Sequence, residues 1–328
     1  MQNPLLTIIV ITYNRLHLLR EAISSCIQQT DKNFNLLIYD NGSSDGTECF
    51  LKELKYSEVD ISVIRNDINV FSVKMFEHIT PHINTPWATI LTDDDMLKQN
   101  FVEMVNSCLR KMTKGTLFMG FDIIDKNGTV TSNFEAMPYE LNTNDAVEAF
   151  FLKNSPSTAG IGGFVFLTQM LKDLEKVFWD YPRLFYCDQR LSLEAILTGG
   201  ITVISTNLYQ RRHWEGAESH SSVEQIISKF EAQLLFMDDC TKILEKFSNE
   251  TFRRFRKHFY NIGNFFNTNI LVCLLQPKFS AKNGLRMINV AYKLNKRFIP
   301  HCIILTVAVL VNCGFLRSIG KSFRRDLR

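Results

Sequence analysis

Three consecutive carboxylates, Asp93, Asp94 and Asp95, follow the apolar run Trp87 to Leu91. Such a run is expected as a buried strand, which sets the triplet at its carboxyl end rather than on a solvated helix. Adjacent anions raise one another's pKa and are costly without a partner, whereas a divalent cation turns the same cluster into an oxygen-ligand site. An ordinary Asp-rich surface turn is the structural alternative, and the triplet alone does not separate the two readings.

Other polar clusters sit in equivalent places. Leu5 to Ile11 is a near-continuous aliphatic run that ends in Thr12-Tyr13-Asn14-Arg15. Phe34 to Tyr39 ends in Asp40-Asn41-Gly42-Ser43-Ser44-Asp45-Gly46, and Ile61 to Ile64 ends in Arg65-Asn66-Asp67-Ile68-Asn69. Each cluster has a plain explanation as a turn, because Asn-Gly and Ser-Asp-Gly are turn formers and Asp can bond loop amides. Together they are more informative. In an open parallel sheet, ligands bind beyond the carboxyl ends of the strands, so Asn14, Asp40, Asn66 and Asp94 would meet at one edge.

The intervening segments are those that such a sheet requires. Leu16 to Gln29 carries Leu18, Leu19, Ala22, Ile23, Cys26 and Ile27 at helical spacing. A second helix is expected from about Asp45 to Leu54 with Ser44 as its cap, and a third from Val73 to Ile79. Strands alternating with helices predict an α/β, doubly wound, mainly parallel sheet. Thr116 to Asp125 and Thr129 to Ser132 flank Asn127-Gly128, a hairpin pattern. A helix is expected from Ala146 to Leu152. The glycines of Ser157-Thr158-Ala159-Gly160-Ile161-Gly162-Gly163-Phe164 either let backbone approach a ligand or serve tight turns. A helix from Arg190 to Leu197 and a strand from Ile201 to Ile204 follow.

Composition narrows the class. The chain has 328 residues with 45% hydrophobic content, enough for a sizeable core and about two domains. Eight cysteines, scattered from Cys26 to Cys313 without a close pair, suit reduced thiols better than a disulfide frame or a zinc site. The first residues show no basic segment followed by an apolar one, so a cytoplasmic location is expected. No Gly-x-x-x-x-Gly-Lys-Ser/Thr loop is present, nor a Gly-x-Gly-x-x-Gly after the first strand, which removes the commonest rival nucleotide sites.

Ile9-Val10-Ile11-Thr12-Tyr13-Asn14-Arg15, then Ile38-Tyr39-Asp40-Asn41-Gly42-Ser43-Ser44-Asp45-Gly46-Thr47, then the Asp triplet, resemble the N-terminal half of the family 2 glycosyltransferases of the GT-A fold. The resemblance covers roughly residues 5 to 215. It implies an inverting, metal-dependent, hexosyltransferase-like enzyme that uses a nucleotide-sugar donor, a UDP-sugar first, and Mg²⁺ or Mn²⁺. Thr12, Tyr13, Asn14, Asp40 and Asn66 would then surround the nucleotide, with Tyr13 packing on the base and Asp40 accepting a base N–H. Asp93 would face the ribose. Asp94 would bind the metal, with Asp95 and His213 as further ligands. Asn69 stands where the family usually has Gly, and Lys74 is the nearest cation for phosphate, with a solvated helix lysine as its plain alternative.

The resemblance also gives a base. In Tyr186-Cys187-Asp188-Gln189, Asp188 falls where the family keeps its catalytic carboxylate, although Cys187 replaces the acid that usually precedes it. Asp188 at a helix start can equally cap free amides. Tyr209-Gln210-Arg211-Arg212-His213-Trp214 resembles the family's basic segment over the pyrophosphate. A single displacement with Asp188 as base would invert the anomeric centre, without the second carboxylate nucleophile of a retaining hydrolase. A non-catalytic nucleotide-sugar or glycan-binding protein on the same scaffold is the alternative.

Two domains follow: 1–220 for nucleotide-sugar binding and catalysis, and 221–328 as a helical, basic region. Residues 251–328 hold 15 Lys plus Arg and one acid, Asp326, leaving 22 basic and 33 acidic residues in 1–250. An acidic body with a basic appendage points to an anionic surface. Phe298 to Leu316 is a 19-residue run without formal charge, readable as spanning, interfacial or buried. An anionic membrane on the inner face of the cell membrane, with a lipid-linked glycan acceptor of surface-polysaccharide synthesis (O-antigen, capsule or lipooligosaccharide), fits that charge. Nucleic acid ranks lower, because no recognisable reading module accompanies it.

Overall fold

A computed structural model describes residues 3–55, 58–70, 75–136, 139–152, 161–174, 186–213, 223–247 and 250. The chain divides into two compact units: Met1–Asp180 with Cys187–Ala217, and Tyr181–Tyr186 with Glu218–Arg328.

The first unit is built on β1 (Leu6–Thr12), β2 (Asn35–Asp40), β3 (Asp60–Arg65) and β4 (Trp87–Thr92), all parallel, in the order β3-β2-β1-β4. The central strands read as unbroken apolar runs because both their faces are covered. In β1, Ile8, Ile9 and Val10 are fully buried, each side chain contributing about 1.5–3 kcal/mol of hydrophobic stabilisation. β3 lies at the edge and is mostly exposed or half-exposed. Helix α1 (Leu16–Ile27) buries Leu18, Leu19, Ala22, Ile23 and Cys26, the stripe that its sequence spacing predicts.

Helix α2 (Thr47–Glu53) starts differently from the expectation. Gly46, at φ +92°, precedes it, and Asp45 accepts from the Thr47 N–H at 3.2 Å and hydroxyl at 2.6 Å. Ser44 is committed elsewhere, its N–H donating to Asn14 Oδ1 at 2.7 Å.

Beyond β4 come β5 (Met96–Leu97), α4 (Phe101–Leu109), β6 (Thr116–Ile124), β7 (Val130–Phe134), β8 (Tyr139–Leu141), β9 (Phe164–Leu167) and β10 (Ile201–Arg212), with α3 (Met75–Ile79) earlier in the chain. The helices of this half are α5 (Thr143–Leu152), α6 (Thr168–Asp173) and α7 (Cys187–Leu197). β9 pairs antiparallel with both β4 and β6, and β10 runs parallel to β6, so the sheet becomes mixed away from β1. The hairpin of β6 and β7 turns at Gly128, φ +82°, as Asn127-Gly128 implies.

β10 is far longer than the four residues expected. Register shifts between Ile204, Asn207 and Tyr209 break the period-two pattern, so a continuous strand reads as a strand followed by a separate segment. Gly162, in a 3-10 turn, has a packing role: a methyl group there would run into the Tyr209 ring.

In the second unit, α8 (Val223–Leu244) supplies the expected helix, and the Tyr186 ring stacks on Phe236 at 5.5 Å between centroids. Among the described residues no helix is long and apolar enough to cross a membrane, and the run from Phe298 to Leu316 lies outside them.

Candidate functional site

Strand register assembles the site. Thr12 pairs with Asp40 across β1 and β2, Asp40 pairs with Arg65 across β2 and β3, and Ile11 pairs with Thr92 across β1 and β4. The residues that end these strands therefore form one row along the carboxyl edge, with the Asp triplet next to Thr12. The Asp93 N–H donates to the Ile11 carbonyl at 3.1 Å and extends the ladder by one bond.

The first and last carboxylates of the triplet are tied inward. Asp93 Oδ2 accepts from the Thr12 hydroxyl at 2.8 Å and from the Tyr13 N–H at 3.3 Å, while Arg15 Nη1 lies 3.2 Å from Oδ1. Asp95 accepts from the Thr92 hydroxyl at 2.6 Å, from the Arg212 N–H at 2.8 Å and from the Tyr209 hydroxyl. Burial, followed by the neighbouring Asp94 charge, pushes the Asp95 carboxyl up to about 7. Burial also pushes Asp93 up to about 6, against the lowering pull of Arg15. Asp94 stands between these anchors with its side chain 15% exposed, 3.5 Å from Arg15 Nη1.

This arrangement suits a hard cation of one kind. Among the described residues no three His, Cys, Asp or Glu side chains gather as a metal-binding group. A magnesium-like ion is commonly held by one or two carboxylates together with phosphate oxygens of a substrate, and Asp94 provides a carboxylate of that type. His213 is exposed and its backbone N–H donates to the Ile124 carbonyl at 2.8 Å.

The strand ends expected to meet the nucleotide are equally organised. Asp40 is fully buried, accepts from the Ser43 N–H at 2.9 Å and pairs with Arg65, which also donates to the Ser43 carbonyl at 2.9 Å. The Tyr13 ring stands 39% exposed beside Thr12. Asn14 adopts φ +53°, its N–H donating to Ser43 Oγ at 2.9 Å, so its side chain and backbone together pin the Ser43-Ser44 loop. Asn66 donates to the Tyr39 hydroxyl and lies 3.0 Å from His78 Nδ1. Asn69, the departure from the usual glycine, accepts from Asn41 Nδ2 at 2.7 Å. Gly42, at φ +85°, is needed there because a Cβ would come 2.8 Å from the Ile68 carbonyl carbon. Lys74 lies outside the described residues. Asp188 is in the first turn of α7 and accepts from the Gln189 N–H at 2.9 Å.

Three arginines complete the constellation; from the sequence Arg212 is only part of the basic segment expected over the pyrophosphate, and Arg15 and Arg65 carry no assigned role. Arg15 faces Asp93 and Asp94, Arg65 faces Asp40, and the buried Arg212 bonds the Asp94 carbonyl at 2.8 Å, the Lys126 carbonyl at 2.9 Å and Glu21 Oε2 at 2.6 Å. Arg15 and Arg65 could have been suspected as lone cations beside carboxylate-bearing strand ends. The clamping role of Arg212 could not, since its partners are backbone carbonyls and a residue 191 positions away.

Comparison with known proteins bears on the fold and the family. The chain is 28% identical over 130 residues to the Escherichia coli UDP-Glc:alpha-D-GlcNAc-diphosphoundecaprenol beta-1,3-glucosyltransferase WfgD, covering 40% of this chain and 51% of that one. It is 21% identical over 145 residues to the Bacillus subtilis putative teichuronic acid biosynthesis glycosyltransferase TuaG, covering 44% and 58%. Each match therefore spans only about half of the relative's length. Among solved structures, Staphylococcus aureus TarS 1–349 in complex with UDP-GlcNAc superimposes with a TM-score of 0.67 at 15% identity, covering 98% of this chain and 92% of that one. The mannosyltransferase PcManGT from Pyrobaculum calidifontis, in complex with GDP-Man and Mn²⁺, gives 0.50 at 12% identity, covering 95% and 88%. These likenesses show the GT-A fold. The model of glycosyl transferase family 2 matches residues 7–174, just over half of the chain and all the strands that carry the carboxylate row, and the chain belongs to that family.

Proposed function

We propose that this chain is an inverting glycosyltransferase that moves a sugar from a nucleotide-sugar donor, a UDP-sugar, to a glycan or lipid-linked acceptor in cell-surface polysaccharide synthesis. The observation that carries this reading is the Asp triplet, in which Asp93 and Asp95 are tied into the protein and Asp94 is the most exposed of the three. Membership of the family supports the activity. The named donor of the E. coli relative and the UDP-GlcNAc on TarS support the uridine nucleotide.

In this reading the Tyr13 ring covers the base, and Asp40, fully buried against the Ser43 N–H and Arg65, accepts from it once Arg65 turns aside. Asp93 meets the ribose with its position set by Thr12. Asn14 and Asn66 act one step removed, by holding the loops that carry Ser43, Asn41 and Tyr39. Lys74, outside the described residues, is assigned to phosphate from the sequence alone. Asp94, with His213 and Asp95 as the further candidates, would hold Mg²⁺ or Mn²⁺. When bound, that ion supplies the charge that stabilises the departing diphosphate. Asp95 serves chiefly by fixing Asp94, because protein donors already engage both its oxygens. Asp188 takes the proton of the acceptor hydroxyl as that oxygen attacks the anomeric carbon.

The acceptor is assigned on charge and on kinship. Residues 251–328 are strongly basic, and the E. coli relative is named for a diphosphoundecaprenol acceptor. A peripheral place on the inner face of the cell membrane follows.

The test is a screen of UDP-glucose, UDP-GlcNAc and GDP-mannose for Mn²⁺-dependent hydrolysis and for a rise in Tm, since a ligand that binds only the native state stabilises it by mass action. A UDP-sugar that does both supports the reading. Indifference to every donor, with and without Mn²⁺, removes it.

A further inference from the structure

Arg15 occupies a position that neither substrate chemistry nor folding alone accounts for. One nitrogen, Nη1, is 3.2 Å from Asp93 Oδ1 and 3.5 Å from Asp94 Oδ2, bridging the carboxylate assigned to the ribose and the one assigned to the metal. Its backbone is fixed, because the Arg15 carbonyl accepts from the Leu18 and Leu19 N–H groups at 3.0 and 2.9 Å at the start of α1. Its side chain is 24% exposed and long enough to turn toward a ligand arriving at the edge of the sheet.

The charges define what such a bridge does. A guanidinium does not give up its proton, so its single positive charge offsets part of the charge of the two adjacent carboxylates at any working pH and repels a divalent cation approaching the same oxygens. A diphosphate offers several anionic oxygens in the geometry a guanidinium binds best. We propose that Arg15 is a place-holding counter-charge: it occupies Asp94 in the absence of donor, keeps the divalent ion off, and transfers to the diphosphate as metal and nucleotide enter together. This inference rests on the proposed role of Asp94, and it adds an order of binding. The metal would join with the nucleotide rather than ahead of it.

The experiment is Mn²⁺ binding to the full chain at pH 8, read from the electron-paramagnetic signal of free Mn²⁺, with and without UDP. In the wild type, UDP should raise Mn²⁺ affinity by about tenfold or more, within the usual span of coupling between ligands. Arg15→Gln should raise affinity for Mn²⁺ alone by a similar factor, shrink the gain from UDP, and weaken UDP binding without metal. Arg15→Lys, which keeps a cation but not the guanidinium fork, should hold off Mn²⁺ alone as the wild type does and give an intermediate gain from UDP. Arg15→Met, which keeps the aliphatic stem, carries the same expectation as Arg15→Gln if the amide disturbs folding. A purely structural arginine would leave the gain from UDP and the metal-free binding of UDP unchanged when removed, whatever happens to the affinity for Mn²⁺ alone. Unchanged or weaker Mn²⁺ binding in both neutral variants overturns the proposal while leaving the metal assignment standing, provided that Asp94→Asn loses the ion. If Asp94→Asn binds Mn²⁺ with UDP as the wild type does, the metal assignment falls and the role of Arg15 falls with it.

Discussion

Arg212 donates from Nε to the backbone carbonyl of Asp94 at 2.8 Å, and its own backbone N–H donates to the carboxylate of Asp95 at 2.8 Å. The end of β10 thus holds the turn after β4 by both its main chain and its side chain. The position of Asp94 is set by a residue 118 places away in sequence.

Removing that hold should damage stability before chemistry. Arg212→Met leaves the Asp94, Asp125 and Lys126 carbonyls without their charged donor, and a loss of about 2–4 kcal/mol is expected. Glu21→Gln touches the more exposed end of the same network and should cost no more than about 1 kcal/mol. Urea denaturation of both variants measures the contrast, and equal losses would move the weight from the buried carbonyls to the ion pair.

Asp94→Asn and Asp95→Asn should separate cleanly. The first should abolish Mn²⁺-dependent turnover with the fold intact. The second should lose about 1–2 kcal/mol of stability, because an amide matches the Thr92, Tyr209 and Arg212 donors less well, yet retain measurable turnover. Near-wild-type rates in both would remove the metal assignment from the triplet.

Asp188→Asn should lower the chemical rate by at least about 10²-fold and leave donor affinity alone, because general-base help is realised only in the transition state. Single-turnover rates beside UDP-sugar binding decide it. Full activity would make Asp188 a helix-start residue and nothing more.

Stability should depend on pH through the buried carboxylates. Asp93 and Asp95 rise from the ordinary 3.8 to about 6 and about 7, so across that interval the native state binds protons that the unfolded chain has released. Native stability therefore falls as pH rises through the window, with a slope of up to about 1.4 kcal/mol per pH unit for each group. The advantage of the wild type over Asp95→Asn should shrink between pH 5 and pH 8 in metal-free denaturation curves. A constant or widening advantage would contradict the sign.

The basic tail gives a prediction from sequence alone, since residues 251–328 lie outside those described. Each Lys or Arg near an anionic bilayer is worth about 1 kcal/mol, so binding should need anionic lipid and weaken with salt. It should fail on deletion of residues 299–328 or neutralisation of Arg317, Lys321, Arg324 and Arg325. Liposome flotation indifferent to lipid charge and salt, alongside binding to RNA or DNA, would favour the nucleic-acid alternative.

The sequence by itself determined the parallel half of the sheet and the row of polar ends. Buried strands write themselves as apolar runs, turn residues mark where those runs stop, and a parallel β-α-β order brings the stops to one edge. Thr12, Asp40 and Asp93 were legible for that reason. The tertiary structure alone decided which carboxylate of the triplet faces outward, because that depends on Thr12 and Arg15 on one side and on Tyr209 and Arg212 on the other. It also showed Asn14 as the clamp on the Ser43-Ser44 loop and β10 as one strand through its register shifts. Three adjacent aspartates are identical in sequence, and only packing gives them different positions, through the donors it brings to each and through the burial that raises the carboxyls of Asp93 and Asp95.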